Sequence, residues 1–111
     1  MTETRGPAAN QARFVMLYGT PSDVDAFERH YNDVHIPLAK QLPGLRRYTR
    51  SHAPAPVRGE PCYLAVMLDW DDMAALEAAF ESEIGRRTAE DAANLARYAT
   101  MRGMILELNE V

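Results

Sequence analysis

His35 follows Tyr31 by four residues and precedes Pro37 by two. Proline offers no N–H to the carbonyl four residues back, and its ring crowds that carbonyl. A helix through this segment should therefore kink or break near His35 and leave carbonyls free. An imidazole in such a place titrates near neutral pH and could exchange a proton with a bound ligand. Tyr31 lies about 40° round a helix from His35, close enough to set its hydroxyl beside the ring. These two are the candidate catalytic residues. A plainer role is open to both: His35 satisfying a freed carbonyl and Tyr31 filling core.

His30 precedes His35 by five residues, about 140° on a straight helix, so the pair should not grip a metal as histidines at i and i+4 do. It is left for the pocket wall or the surface. His52 ends a strand, and Cys62 is the only cysteine, which leaves no Cys/His spacing for zinc. No metal site is expected. Alternation puts Arg46, Tyr48, Arg50 and His52 on one side of their strand and Arg47, Thr49 and Ser51 on the other. A guanidinium there could hold a carboxylate or an enolate, although arginines on an edge strand commonly serve solvation. Tyr48 and His30, with Tyr63 at the start of the next strand and Phe27 and Phe80 on buried helix stripes, make up the candidate substrate-binding set. Asp69, Asp71 and Asp72 fall between a strand and a helix, where capping is their natural use. Asp91 reads as a cap or as a partner for Tyr98 seven residues on. Cys62 reads as strand filler. Phosphate cradles, nucleophile elbows and dinucleotide fingerprints are missing, so no cofactor is expected.

The elements that must position these residues follow from periodicity. Residues 1–12 lack apolar periodicity and read as a flexible leader, with the domain over residues 13–111. Phe14–Tyr18 forms a first strand, and Thr20 or Ser22 caps a helix whose buried stripe is Val24, Phe27, Tyr31 and Val34. Leu38 and Leu42 extend that stripe to a turn at Pro43-Gly44. Leu45–Ser51 is a charged, edge-type strand, residues 53–61 are a Pro-rich loop, and Cys62–Leu68 is a strand apolar at successive positions. Asp71 or Asp72 caps a helix with Met73, Leu76, Ala79 and Phe80 inside, which Gly85 ends. Thr88 and Asp91 approximate a capping box for a further short helix, and Met104–Leu108 closes the chain.

This order, β-α-β-β-α-β with an extra short helix, is an α+β, ferredoxin-like arrangement with strands one and three in the centre. Its helices lie on one face, yet the third strand is apolar on both, so the other face calls for a cover. A second copy of the chain is the simplest one, which makes the expected assembly a homodimer in a dimeric α+β barrel.

The chain has 111 residues, 47% of them hydrophobic, which suits one domain. Its net charge is −4, with a single lysine, and the third strand lacks the basic and stacking residues of an RNA-binding sheet, so nucleic acid is not an expected partner. No apolar run reaches membrane-spanning length, and the lone cysteine suits a reducing compartment, so the expected location is the cytoplasm with no membrane partner.

The segment Phe27–Tyr48, with its aromatic-bearing helix, then His35-Ile36-Pro37-Leu38, then Leu42-Pro43-Gly44-Leu45-Arg46-Arg47-Tyr48, resembles the EthD family. Ser82–Gly85, Asp91-Ala92-Ala93-Asn94-Leu95-Ala96 and the closing strand extend the likeness to roughly residues 13–111. Ser82-Glu83-Ile84-Gly85 departs from the family's usual Ser-Pro-Glu-Gly. The resemblance implies a small dimeric α+β barrel of the kind found beside degradative and biosynthetic oxygenase or polyketide genes. The reductase label often attached to the family has no cofactor motif behind it here. The implied protein is a cytoplasmic small-molecule binder. It would be either a cofactor-free acid/base enzyme (isomerase, lyase, cyclase or oxygenase type) acting on a small cyclic or aromatic oxygenated metabolite, or a non-catalytic carrier serving an oxygenase system.

Overall fold

The computed structural model describes residues 10–111, so the expected leader lies outside the described residues up to residue 9. Phe14, Met16 and Tyr18 alternate with Val15 and Leu17 along β1 (Ala12–Tyr18). That strand is flanked by β3 (Leu64–Trp70) and β4 (Met101–Glu107), with β2 (Arg47–His52) outside β3, and every pairing is antiparallel. The order β2-β3-β1-β4 makes strands one and three central and leaves the arginine-bearing β2 on an edge, as its composition requires.

The helices α1 (Val24–His30), α2 (Ile36–Ala39), α3 (Met73–Glu81) and α4 (Glu83–Leu95) pack on one face of this sheet. Leu64, Val66, Leu68 and Trp70 point from β3 into the layer between, joined by Phe27, Tyr31, Leu76, Ala79 and Leu95 from the helices. The Leu-Pro-Gly-Leu turn packs on this core. Gly44 takes the left-handed φ of +73°, and the Trp70 indole N–H donates to the Pro43 carbonyl at 2.9 Å.

Several boundaries differ from those the sequence suggests. Asp23 caps α1, accepting the Ala26 N–H at 3.0 Å, while the Ser22 N–H is engaged by the Tyr98 carbonyl. Of the three aspartates expected between strand and helix, Asp72 caps α3, whereas Asp69 lies within β3 and holds the Arg13 guanidinium through two bonds of 2.7 and 3.0 Å. Gly85 does not end a helix. Ser82 closes α3 and caps α4, its hydroxyl donating to the Ala79 carbonyl and accepting the Gly85 N–H. The Thr88 hydroxyl bonds the Ile84 carbonyl inside α4, so the short helix expected from Thr88 is the second half of a 13-residue one. Position 83 is the first helical residue, where glutamate and proline are both well placed, which accommodates the departure from Ser-Pro-Glu-Gly.

Val15, Leu17, Ala65, Met67, Met104 and Leu106 fall together on the face away from the helices. Charged residues bound this apolar band, with Arg13, Asp69 and Arg47 at one end and Arg102 at the other. Met104 is 40% exposed in the single chain, so the band is open to solvent. No helix among the described residues is long and apolar enough to cross a membrane.

Candidate active site

The break expected at Pro37 is resolved without breaking the helix. Tyr31–His35 form one π-turn, in which the Ile36 N–H reaches back five residues to the Tyr31 carbonyl, and α2 continues with Pro37 in its first turn, where a missing N–H is tolerated. Backbone bonds from i to i+5 bring residues five apart onto one side. His30 and His35 therefore do not diverge by the 140° of a straight helix; both reach the same carboxylate. His30 Nε2 lies 2.7 Å from Asp91 Oδ1, and His35 Nδ1 lies 2.9 Å from Asp91 Oδ2. Asn94 donates to the same carboxylate at 3.0 Å. Asp91 thus acts neither as a helix cap nor as a partner of Tyr98; it is the group that orients two imidazoles.

Charge decides the tautomers. Burial alone would raise Asp91, but hydrogen bonds from Asn94, His35 and His30 outweigh it and hold the carboxyl below the ordinary carboxylate range. An ionised carboxylate only accepts, so His35 Nδ1 carries the hydrogen and Nε2 carries the lone pair. His35 is 8% exposed, and its burial pushes the imidazole below its ordinary value despite the pull of Asp91, so the ring is neutral at neutral pH. Nε2 has no hydrogen-bond partner among the described residues, and no fully buried side-chain nitrogen or oxygen among them goes unpaired. Nε2 is therefore accessible from the cavity that His35 lines.

That cavity, of about 260 Å³, lies between the sheet and the helices. Its floor is Phe14, Met16 and Tyr18 of β1 with Val66 and Leu68 of β3; its walls are Tyr31, His35, Tyr48, Phe80, Thr88 and Ala92. Ala89, exposed on α4, also lines it and marks an edge of the opening. Tyr31 and Tyr48 join hydroxyls at 2.8 Å, and burial raises both above the ordinary tyrosine value, Tyr31 the more strongly. Both stay protonated. A pair of hydroxyls holds two hydrogens and spends one on the mutual bond, leaving one to donate to a ligand oxygen.

Of the residues singled out from sequence, His35, Tyr31, Tyr48 and Phe80 meet at this cavity. The others stand elsewhere. Phe27 is wholly buried behind Tyr31, its ring stacked at 5.8 Å. His30 sits behind Asp91, facing a shallow groove with Arg29, Asp33 and Tyr98. The Tyr63 hydroxyl donates to Glu28 at 2.5 Å, which pushes it up to about 12, and His52 meets the same carboxylate. The edge-strand arginine Arg50 donates to Asn32 at 2.7 Å. Two residues were missed from sequence as members of the site. Asp91 carried a readable signal, a carboxylate on the inward stripe Ile84, Thr88, Asp91, Leu95. Tyr18 carried none beyond being an aromatic at a strand end.

The pair sets a pH dependence of stability. His35 and Asp91 both bind protons less readily folded than unfolded, so stability rises with pH wherever they titrate. The contribution of His35 is complete above its unfolded value near 6.5 and is lost as pH falls through its lower folded value, with Asp91 following below about 4. The thermal midpoint should accordingly drop between pH 7 and 5, and His35→Gln should flatten that segment. A slope of equal size in the variant would show that other groups carry it.

A four-stranded antiparallel sheet in the order β2-β3-β1-β4, backed by helices that enclose a cavity beside a histidine–carboxylate pair, defines a ferredoxin-like α+β protein with an internal cavity. The EthD domain model matches residues 20–97, and the chain belongs to the EthD family. An uncharacterized 11.0 kDa protein of Rhodococcus erythropolis, from a thcB-thcC intergenic region, is 33% identical over 86 residues, 76% of this chain and 82% of that one. An EthD family protein of Bacillus halodurans superimposes with a TM-score of 0.76 at 29% identity, over 89% of this chain and 99% of the other. A mutant form of SnoaB, a cofactor-independent oxygenase from Streptomyces nogalater, shares the fold with a TM-score of 0.67 at 18% identity over 93% and 97%. So does a dimeric ferredoxin-like protein of unknown function from Thermobifida fusca, with 0.66 at 16% identity over 90% and 92%.

Proposed function

We propose that this protein binds a small apolar or aromatic oxygenated compound between its sheet and helices, and that His35, oriented by Asp91, takes a proton from it. The observation that carries this reading is the unpartnered Nε2 of a neutral, nearly buried imidazole on an apolar cavity, with its other nitrogen held by a carboxylate. That is how a general base is prepared: tautomer set from behind, lone pair towards the ligand, and a negative charge in place to stabilise the imidazolium that forms. A cavity of about 150 Å³ already holds benzene, so this one suits one or two fused rings. Tyr31 acts with Tyr48, as the hydrogen-bond donor to the ligand rather than as a partner of the imidazole. That a fold relative is a cofactor-independent oxygenase agrees with chemistry run by side chains alone. The working unit is a homodimer, in which a second copy covers the apolar band of Val15, Leu17, Met67 and Met104; that a fold relative is itself dimeric agrees with this.

Naphthalene binding, followed by fluorescence in the wild type and in Ala92→Phe, tests the site. The phenyl group fills the cavity and should weaken binding at least tenfold; equal affinity in the two proteins would place the ligand elsewhere. Binding retained together with a complete lack of proton transfer would favour the carrier role.

A further inference from the structure

Tyr18 lines the cavity from β1 and is only 2% exposed. Its hydroxyl has no partner among the described residues, and no fully buried side-chain oxygen or nitrogen among them is left unpaired. The hydroxyl must therefore be accessible from the cavity. His35 Nε2 is in the same position, and both rings adjoin Tyr31, at 5.8 Å from Tyr18 and 5.3 Å from His35. Two nearly buried residues thus present polar atoms without a protein partner to one apolar chamber, where water or a ligand must meet them. Their chemistry is complementary. Nε2 can only accept, while a neutral tyrosine hydroxyl donates, and burial raises Tyr18 so that it stays protonated.

We infer that the ligand is an enolisable cyclic ketone whose oxygen is held by the Tyr18 hydroxyl while His35 removes the proton from the adjacent carbon. This assignment rests on the reading of His35 as a base and adds the substrate class and a further catalytic residue. In the step, Nε2 takes the proton and becomes imidazolium. The C–H electron pair becomes the new carbon–carbon π bond, and the carbonyl π pair moves onto oxygen. Charge appears on that oxygen, where a fixed donor in a water-poor site has its greatest effect. Return of a proton from His35 to carbon restores the ketone, so the cycle needs no oxidant, reductant or cofactor.

The test uses the full chain with 2-tetralone, whose C1 hydrogens exchange with D2O through the enolate and are counted by proton NMR. The wild type should accelerate exchange over buffer, and Tyr18→Phe should lower the saturated rate about 10²- to 10³-fold. Naphthalene affinity, which needs no hydroxyl, should be unchanged in Tyr18→Phe and reports that the cavity is intact. Exchange by Tyr18→Phe at the wild-type rate would remove Tyr18 from the reaction while leaving His35 as base. Wild-type exchange no faster than buffer, with naphthalene bound, would overturn the ketone assignment alone. Failure to bind naphthalene at all would overturn the cavity reading beneath it.

Discussion

Asp91→Asn is expected to slow proton transfer by about 10²- to 10⁴-fold while the cavity keeps its ligand. The carboxylate accepts from His35 Nδ1 and His30 Nε2 at once, so both hydrogens are directed at it. An asparagine has one accepting oxygen and one donating NH2. If the NH2 faces His35, that ring must turn its lone pair to Nδ1 and carry the hydrogen on Nε2, and the base is lost to the ligand. If the oxygen faces His35, the tautomer survives but the charge that stabilises the imidazolium is gone. Either way the reaction slows, and a nitrogen-15 histidine spectrum tells which has occurred. Measured on 2-tetralone exchange, an Asp91→Asn rate within a factor of a few of wild type would mean that Asp91 is structural and that His35 works unaided. Naphthalene affinity should hold, because Asp91 lies behind the imidazole and not on the cavity wall.

Gly85→Ala is expected to destabilise the fold by about 3 kcal/mol, although alanine is the better helix former. A Cβ at this position would overlap the Ala79 carbonyl oxygen and stand 2.5 Å from that of Phe80. These are backbone atoms of α3, so no side chain can rotate away, and α4 must move instead. For a chain of this size the thermal midpoint should fall by roughly 10–20 °C. Gly103→Ala is the control, because the one tight contact of its Cβ would be the terminal Met16 methyl at 3.0 Å, the mobile end of a flexible side chain, with the Val15 carbonyl at an ordinary 3.7 Å. Equal midpoints for the two variants would show that the α3–α4 junction relaxes more freely than its geometry implies. Gly85 also lines the cavity, so the shift of α4 should weaken ligand binding as well.

The strands were legible because their signal is local. The alternation in β1, the unbroken apolar run of β3 and the arginines of β2 are properties of a few adjacent residues, and they place β1 and β3 inside and β2 outside. Helix limits were less legible. Ser, Thr and Asp recur before α3 and through α4, and which of them caps depends on which N–H groups the rest of the chain leaves free; Ser82 and Asp72 take that role, and Thr88 does not. His35 and Tyr31 could be chosen from their spacing to Pro37, and Tyr48 and Phe80 from their faces. Phe27 and Tyr63 illustrate the limit of that reasoning, since an aromatic on an inward stripe packs equally well behind a cavity wall or beside a polar cluster as in the lining.

By itself the sequence determined the class of fold, the edge and centre of the sheet, the open apolar face and the histidine next to the proline, because each follows from short-range pattern and backbone sterics. Only the tertiary structure decided that the proline is absorbed by a π-turn, that His30 and His35 consequently share Asp91, and that Tyr18 opens onto the same chamber. The partners lie 61 and 56 residues apart along the chain. Contacts over such separations are set by how the π-turn and α2 pack against α4 on one face of the sheet, and no local periodicity records them.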